Sequence, residues 1–167
     1  MIYVGIDPGL KGAIACVGGE YPEIWDMPVL NGRVNVKFIS DLFGGWQEEY
    51  HDITMVYIEQ QQAMPGQGVS STFKTGANYG ALLAVLTLVG VPFDIIPAGT
   101  WKRTMGLTKE KELSREKAIH LFPNSALFFQ RKKDEGRAEA LLLAEYCRRR
   151  MAQFGMHASP QVQEVSL

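Results

Sequence analysis

Four carboxylates in this chain of 167 residues stand where carboxylates are expensive unless they do chemistry. Asp7 ends the apolar run Ile2-Tyr3-Val4-Gly5-Ile6, and Glu59 ends a second run over 53–58. A buried strand does not end on an isolated ionised acid without a partner, because removing a charge from water is costly. Glu135 and Glu139 are four apart in Asp134-Glu135-Gly136-Arg137-Ala138-Glu139-Ala140-Leu141-Leu142, so they share one face of a helix. Asp134 lies at the positive start of that helix. Glu139 is set among alanines and leucines, which places it at the edge of a buried face. If the strands ending in Asp7 and Glu59 are parallel neighbours, both acids leave the same edge of a sheet, where sites in open α/β sheets lie. Acids gathered there repel one another, and a pair of divalent cations relieves that. Simpler roles compete. Asp7 suits a turn at Pro8-Gly9, and Glu135 with Asp134 suits a solvated turn beside Arg131, Lys132, Lys133 and Arg137.

The positioning elements follow from pattern. Residues 2–7 and 13–17 form a hairpin ending at Gly18-Gly19, and 20–27 extends it as a third strand. Asn31-Gly32 marks a turn. Asn35 caps a helix over 36–49, weakened by Gly44-Gly45. Strand 53–58 leads to a polar Pro/Gly-bearing loop, 60–68. A helix capped by Ser70 or Ser71 then runs to about 89. Gly76 and Gly80 give it a smooth stripe suited to a close-packed helix or a second subunit. A strand at 93–96 and a short helix at 98–105 follow. Helices at 108–122 and 134–154 flank a helical turn at 127–130, and 155–167 forms a frayed tail. The order implies one α/β domain over 1–154, a mixed sheet with helices on its faces.

Composition narrows the chemistry. No apolar run is long enough to span a membrane, and no basic leader precedes the first strand. Cys16, Cys147 and the histidines show no metal spacing, so a bound metal would be held by oxygen, which suits magnesium or manganese. Residues 1–100 carry 4 Lys/Arg against 10 Asp/Glu, whereas 101–150 carry 13 against 7. A near-neutral total hides a basic half, compatible with a polyanionic partner.

The motifs Gly5-Ile6-Asp7-Pro8-Gly9, Tyr57-Ile58-Glu59-Gln60 and Lys132-Lys133 through Leu142 together resemble the RuvC-type Holliday junction resolvases. The similarity is greatest to their phage-borne and organellar branches. The segments 67–74, 79–82 and Thr100-Trp101-Lys102 resemble that group as well.

The resemblance implies an RNase H-like fold and a homodimer acting on four-way or other branched DNA, with the helix at 70–89 as its interface. It also implies two magnesium ions per site (manganese as a substitute) and action in a bacterial or phage-infected cytoplasm. Asp7 would bridge both ions, with Glu59 and Glu139 completing one each. Glu135, or Asp134 in its place, would be the fourth ligand. Some members carry His or Asp where this chain has Gly136, and Glu at 139 departs from the commoner Asp. The reaction implied is metal-assisted phosphodiester hydrolysis that leaves a 5′-phosphate, with Lys133 and Arg137 nearest to the developing charge. Lys74, Lys102, Arg103, Lys109, Lys111 and Arg115 would meet backbone phosphates, with a solubilising surface as their simpler reading. Met64, in the loop after Glu59, would wedge into the branch point. A ribonuclease H acting on RNA–DNA hybrid and a non-catalytic branched-DNA binder are the competing functions. A sugar-kinase or actin-like fold needs a second domain for which this length leaves no room.

Overall fold

In the computed structural model, residues 1–108 and 111–155 are described. Strands β1 (Ile2–Asp7), β2 (Ala13–Val17), β3 (Glu23–Asp26), β6 (Ile53–Glu59) and β7 (Phe93–Ile96) form one sheet in the order β3-β2-β1-β6-β7. The first three make an antiparallel meander, and β6 and β7 add to β1 in parallel. Between them, β4 (Val29–Leu30) and β5 (Arg33–Val34) form a small hairpin. Its turn residues Asn31 and Gly32 both have positive φ, 52° and 73°, as a tight two-residue turn requires.

Helices cover both faces of the sheet. Helix α1 (Val36–Tyr50) and helix α2 (Val69–Leu88) pack on one side, with Ile39, Phe43, Trp46, Leu82, Val85 and Leu86 against Ile2, Val4 and Ile6. Helix α5 (Glu135–Gln153) packs on the other, joined there by α3 (Ala98–Thr104), α4 (Lys111–Leu121) and a 3-10 segment, Pro123–Phe129. Because successive strand residues face opposite ways, β1 sends its isoleucines and Val4 toward α1 and α2. Tyr3, Gly5 and Asp7 face α5.

Most elements lie where the pattern placed them, and the departures have local causes. Strand β3 starts only at Glu23 rather than 20, after Pro22, which cannot donate to the ladder. Helix α1 runs unbroken through Gly44 and Gly45 because Phe43 and Trp46, fully or almost fully buried, anchor it on either side. Neither Ser70 nor Ser71 caps α2: Gly68 is the cap residue, with no side-chain bond. The turn expected at 127–130 belongs to the longer 3-10 segment. Asp134 is the cap of α5, not its first residue. Helix α4 begins at Lys111; Lys109 lies outside the described residues.

Two glycines set how close α5 comes to the sheet. A Cβ on Gly5 would run into the Ala140 carbonyl and the Ala144 amide of α5 and would stand 2.9 Å from the Leu143 carbonyl carbon. A Cβ on Gly136 would lie 2.6 Å from the Lys11 carbonyl oxygen and 2.8 Å from the Gly12 Cα. The helix therefore touches β1 backbone to backbone, and its first turn touches the loop after Asp7 in the same way. Gly5→Ala should lower stability by about 1–3 kcal/mol or more, the usual range for overpacking, as a fall in the urea midpoint. An unchanged midpoint would show that the contact is slack.

Candidate active site

The register of β1 and β6 pairs Gly5 with Tyr57 and Ile6 with Ile58. One step further on, Asp7 and Glu59 end adjacent parallel strands. Tyr57 packs in the α5-side core, so Glu59, two residues on, faces α5 as Asp7 does. On α5, Ala138, Ala140, Leu141 and Leu142 are fully buried. Glu139 sits between them at the helix edge, its side chain 12% exposed. Three acids expected from sequence are thus brought to one end of the sheet.

Lys102 joins them. Its Nζ donates to Glu139 Oε1 at 2.6 Å and lies 5.3 Å from the centre of the Trp101 ring. Trp101, fully buried, donates its indole N–H to Glu59 Oε2 at 2.8 Å. Ser114 Oγ lies 3.4 Å from Glu139 Oε1. Sequence reasoning assigned Lys102 to DNA backbone and gave Trp101 and Ser114 no polar role. The Trp101-Lys102 dipeptide places adjacent residues of α3 against the β6 acid and the α5 acid respectively, a convergence no local pattern encodes.

The acids perturb one another. Burial, with the Glu139 charge next and Glu59 behind it, pushes the Asp7 carboxyl up to about 7, against the Gly9 amide that donates to it at 3.3 Å. Burial also raises Glu59, opposed by Lys102 and the Trp101 bond. Desolvation pulls Lys102 down, but its bond to Glu139 and the three acids outweigh that and raise it.

The remaining acids separate. Asp134 is 2% exposed, accepts from the Arg131 backbone amide at 2.9 Å, and is bonded on both oxygens by the Arg131 guanidinium. These contacts hold its carboxyl below the usual range, and they commit the Asp134 side chain to Arg131 and the 3-10 turn Lys132–Asp134 rather than to a cation. Glu135 lines the same cleft of about 840 Å³ as Asp7 and Glu139. Gly136 cannot be replaced by a ligating His or Asp without displacing the Lys11–Gly12 backbone.

The expected cations divide likewise. Arg137 makes two bonds to Asp26 at the end of β3, of 2.5 and 2.6 Å, and Arg115 donates to the carbonyls of Phe129 and Gln130. Both tie elements together. Lys133 is exposed and lines the cleft, with Lys132 and Lys11. Lys11 was missed, although its place four residues after Asp7 is a signal for it. Lys74 and Arg103 are exposed, on α2 and α3 respectively. Lys111 opens α4, and Lys109 is outside the described residues.

The donor set suits a hard divalent cation: it is all carboxylate, partly desolvated and mutually repelling, and an ammonium compensates it. Among the described residues no three such side chains already converge at metal-ligating distance. A cation held by Glu139 would compete with the Lys102 ammonium bonded to it.

The antiparallel meander, the parallel extension and the long helix across the strand bearing the first acid define an RNase H-like fold. The same fold is seen in RuvC of Thermus thermophilus. The solved structures "T. thermophilus RuvC in complex with Holliday junction substrate" and "Thermus thermophilus RuvC structure" each match with a TM-score of 0.60, covering 93% of this chain and 97% of that one, at 19% and 20% identity. In sequence, the chain is 34% identical over 92 residues to the chloroplastic Holliday junction resolvase MOC1 of Chlamydomonas reinhardtii. That match covers 54% of this chain and 10% of the relative, so the chain spans about a tenth of the length of the curated relative it matches. No family model matches the chain.

The raised Asp7 carboxyl has a consequence for the metal-free protein. A carboxyl raised on folding stabilises the fold while protonated, so stability falls as pH rises from about 4 to about 7. Asp7→Asn keeps an acceptor for Gly9 and removes the titration. Its urea midpoint in EDTA should exceed that of the parent at pH 8, and the gap should narrow steadily as pH falls toward about 4. A midpoint at pH 8 equal to or below the parent's would show that the cluster carries no such repulsion.

Proposed function

We propose that this chain is a structure-specific DNA endonuclease that hydrolyses phosphodiesters at four-way junctions or other branched DNA. The observation that carries the reading is the convergence of Asp7, Glu59 and Glu139 around Lys102 at one sheet edge. The RuvC fold and the resolvase relative agree with it.

Asp7, Glu59, Glu139 and Glu135 would hold two magnesium ions, or manganese in their place. Ions so held activate water and stabilise the leaving 3′ oxygen. The chain's own residues do the rest. Trp101 fixes the Glu59 carboxylate by its N–H bond, and Ser114 sits against that of Glu139. Lys102, bonded to Glu139, offsets the charge of the acids and would be placed to meet the scissile phosphate. Lys11, Lys132 and Lys133 ring the cleft and would draw the backbone in, positioning it without reading sequence. Lys74 and Arg103, both exposed, would extend that field. Met64, 66% exposed in the loop after Glu59, is the proposed wedge. Gln67 braces that loop, accepting from the Met64 amide and reaching Ser71 on α2.

A four-way junction has two-fold symmetry, and a two-fold dimer would present paired sites to it. The outer face of α2 supports that assembly: Val69, Phe73 and Leu88 are 88%, 76% and 86% exposed, and nothing lies within 4 Å of a Cβ built on Gly76 or Gly80.

The test is cleavage of a synthetic four-way junction, a flap and an RNA–DNA hybrid in magnesium, with Asp7→Asn beside the parent. Paired nicks in the junction are expected, and they should be lost or strongly reduced in the variant. Binding without cleavage by the parent would make the chain a branched-DNA binder, and preferential cutting of the hybrid's RNA strand would make it a ribonuclease H.

A further inference from the structure

The 3-10 segment Pro123–Phe129 holds two large apolar side chains out in water. Leu127 is 80% exposed and Phe128 46%, while Phe129 beside them is fully buried in the α5-side core. The segment is braced at several points. Ser125 is buried, its amide donating to the Phe122 carbonyl at 2.9 Å. Arg115 of α4 reaches the carbonyls of Phe129 and Gln130 at 3.4 and 3.3 Å. The outward pair is therefore set by anchored neighbours on both sides.

What surrounds the pair indicates its partner. Lys132 and Lys133 lie a few residues on and are exposed, while Arg131 before them is paired with Asp134. Lys132 and Lys133 line the cleft that holds Asp7, Glu135 and Glu139. An exposed aromatic with an aliphatic neighbour, followed by cations leading into a cleft of acids, fits a nucleic acid strand: bases stack on the apolar faces and phosphates meet the lysines. An apolar protein partner would gain nothing from the two exposed lysines.

We propose that Leu127 and Phe128 form a shelf on which unpaired bases stack, on the strand entering the cleft at a DNA branch point. The inference rests on the nuclease reading above and assigns it a second base contact, carried by the segment before α5 rather than by the Met64 loop.

Leu127→Ser/Phe128→Ser and Phe128→Trp should be compared with the parent in calcium, which permits binding without turnover. Affinities are measured for a four-way junction and for a duplex of equal length, with melting temperature and sedimentation as controls. The double variant should bind the junction on the order of tenfold more weakly, with duplex affinity, melting temperature and mass unchanged. Phe128→Trp should bind as the parent does and lose tryptophan emission on adding junction, where the parent does not. A double variant that binds the junction as the parent does would overturn the shelf and leave the nuclease reading standing. So would an affinity loss accompanied by a change in mass, which would assign the pair to contact between copies. A parent that shows no preference for the junction over the duplex would overturn the nuclease reading, and the shelf with it.

Discussion

The approach of α5 to β1 at Gly5 is the contact on which the rest of the structure depends. With no side chain at Gly5, the Ala140 carbonyl and the Ala144 amide come down onto the strand. That depth fixes the height of Glu139, one residue before Ala140, relative to Asp7, two residues beyond Gly5. Gly136 repeats the device one helical turn earlier, against Lys11 and Gly12. The acids are thus carried on backbone contacts rather than on adjustable side chains. The Arg137–Asp26 pair adds a tether from the same helical turn to the end of β3.

Such rigidity has an electrostatic price. Asp7 is held near Glu139 and Glu59 in a partly dry site, and its carboxyl is raised to about 7 by burial and by their charges. Lys102 offsets part of that repulsion from α3, on a ring that is itself bonded to Glu59. Metal-free, the acids are thus balanced in part by the Lys102 ammonium, and a cation that binds them more strongly would take its place. The geometry stores a preference for cations in the fold, and loading would release it.

Much of this was legible in the sequence because it is carried by local pattern. Apolar runs ending in Asp7 and Glu59, helical spacing at Glu135 and Glu139, and turn residues at Pro8-Gly9 and Asn31-Gly32 each announce themselves within a few residues. What was not legible depends on distant partners. The sequence puts Glu135 first and Asp134 as its substitute, and only the doubly bonded Arg131 guanidinium takes Asp134 out of contention. Arg137 reads as a free cation until Asp26, 111 residues away in the chain, is found opposite it. Lys102 reads as surface charge until α3 folds over the β6 acid. The place of Leu127 and Phe128 was hidden for the same reason, since only the burial of Phe129 decides which apolar residues face out.

The most direct measurement is diffraction from crystals soaked in manganese, recorded at a wavelength where that ion scatters anomalously. An anomalous peak between Asp7 and either Glu59 or Glu139, with the Lys102 ammonium moved off Glu139, is the result expected. A cluster that stays free of metal at saturating manganese, with the Lys102–Glu139 pair intact, would contradict a metal-dependent site here.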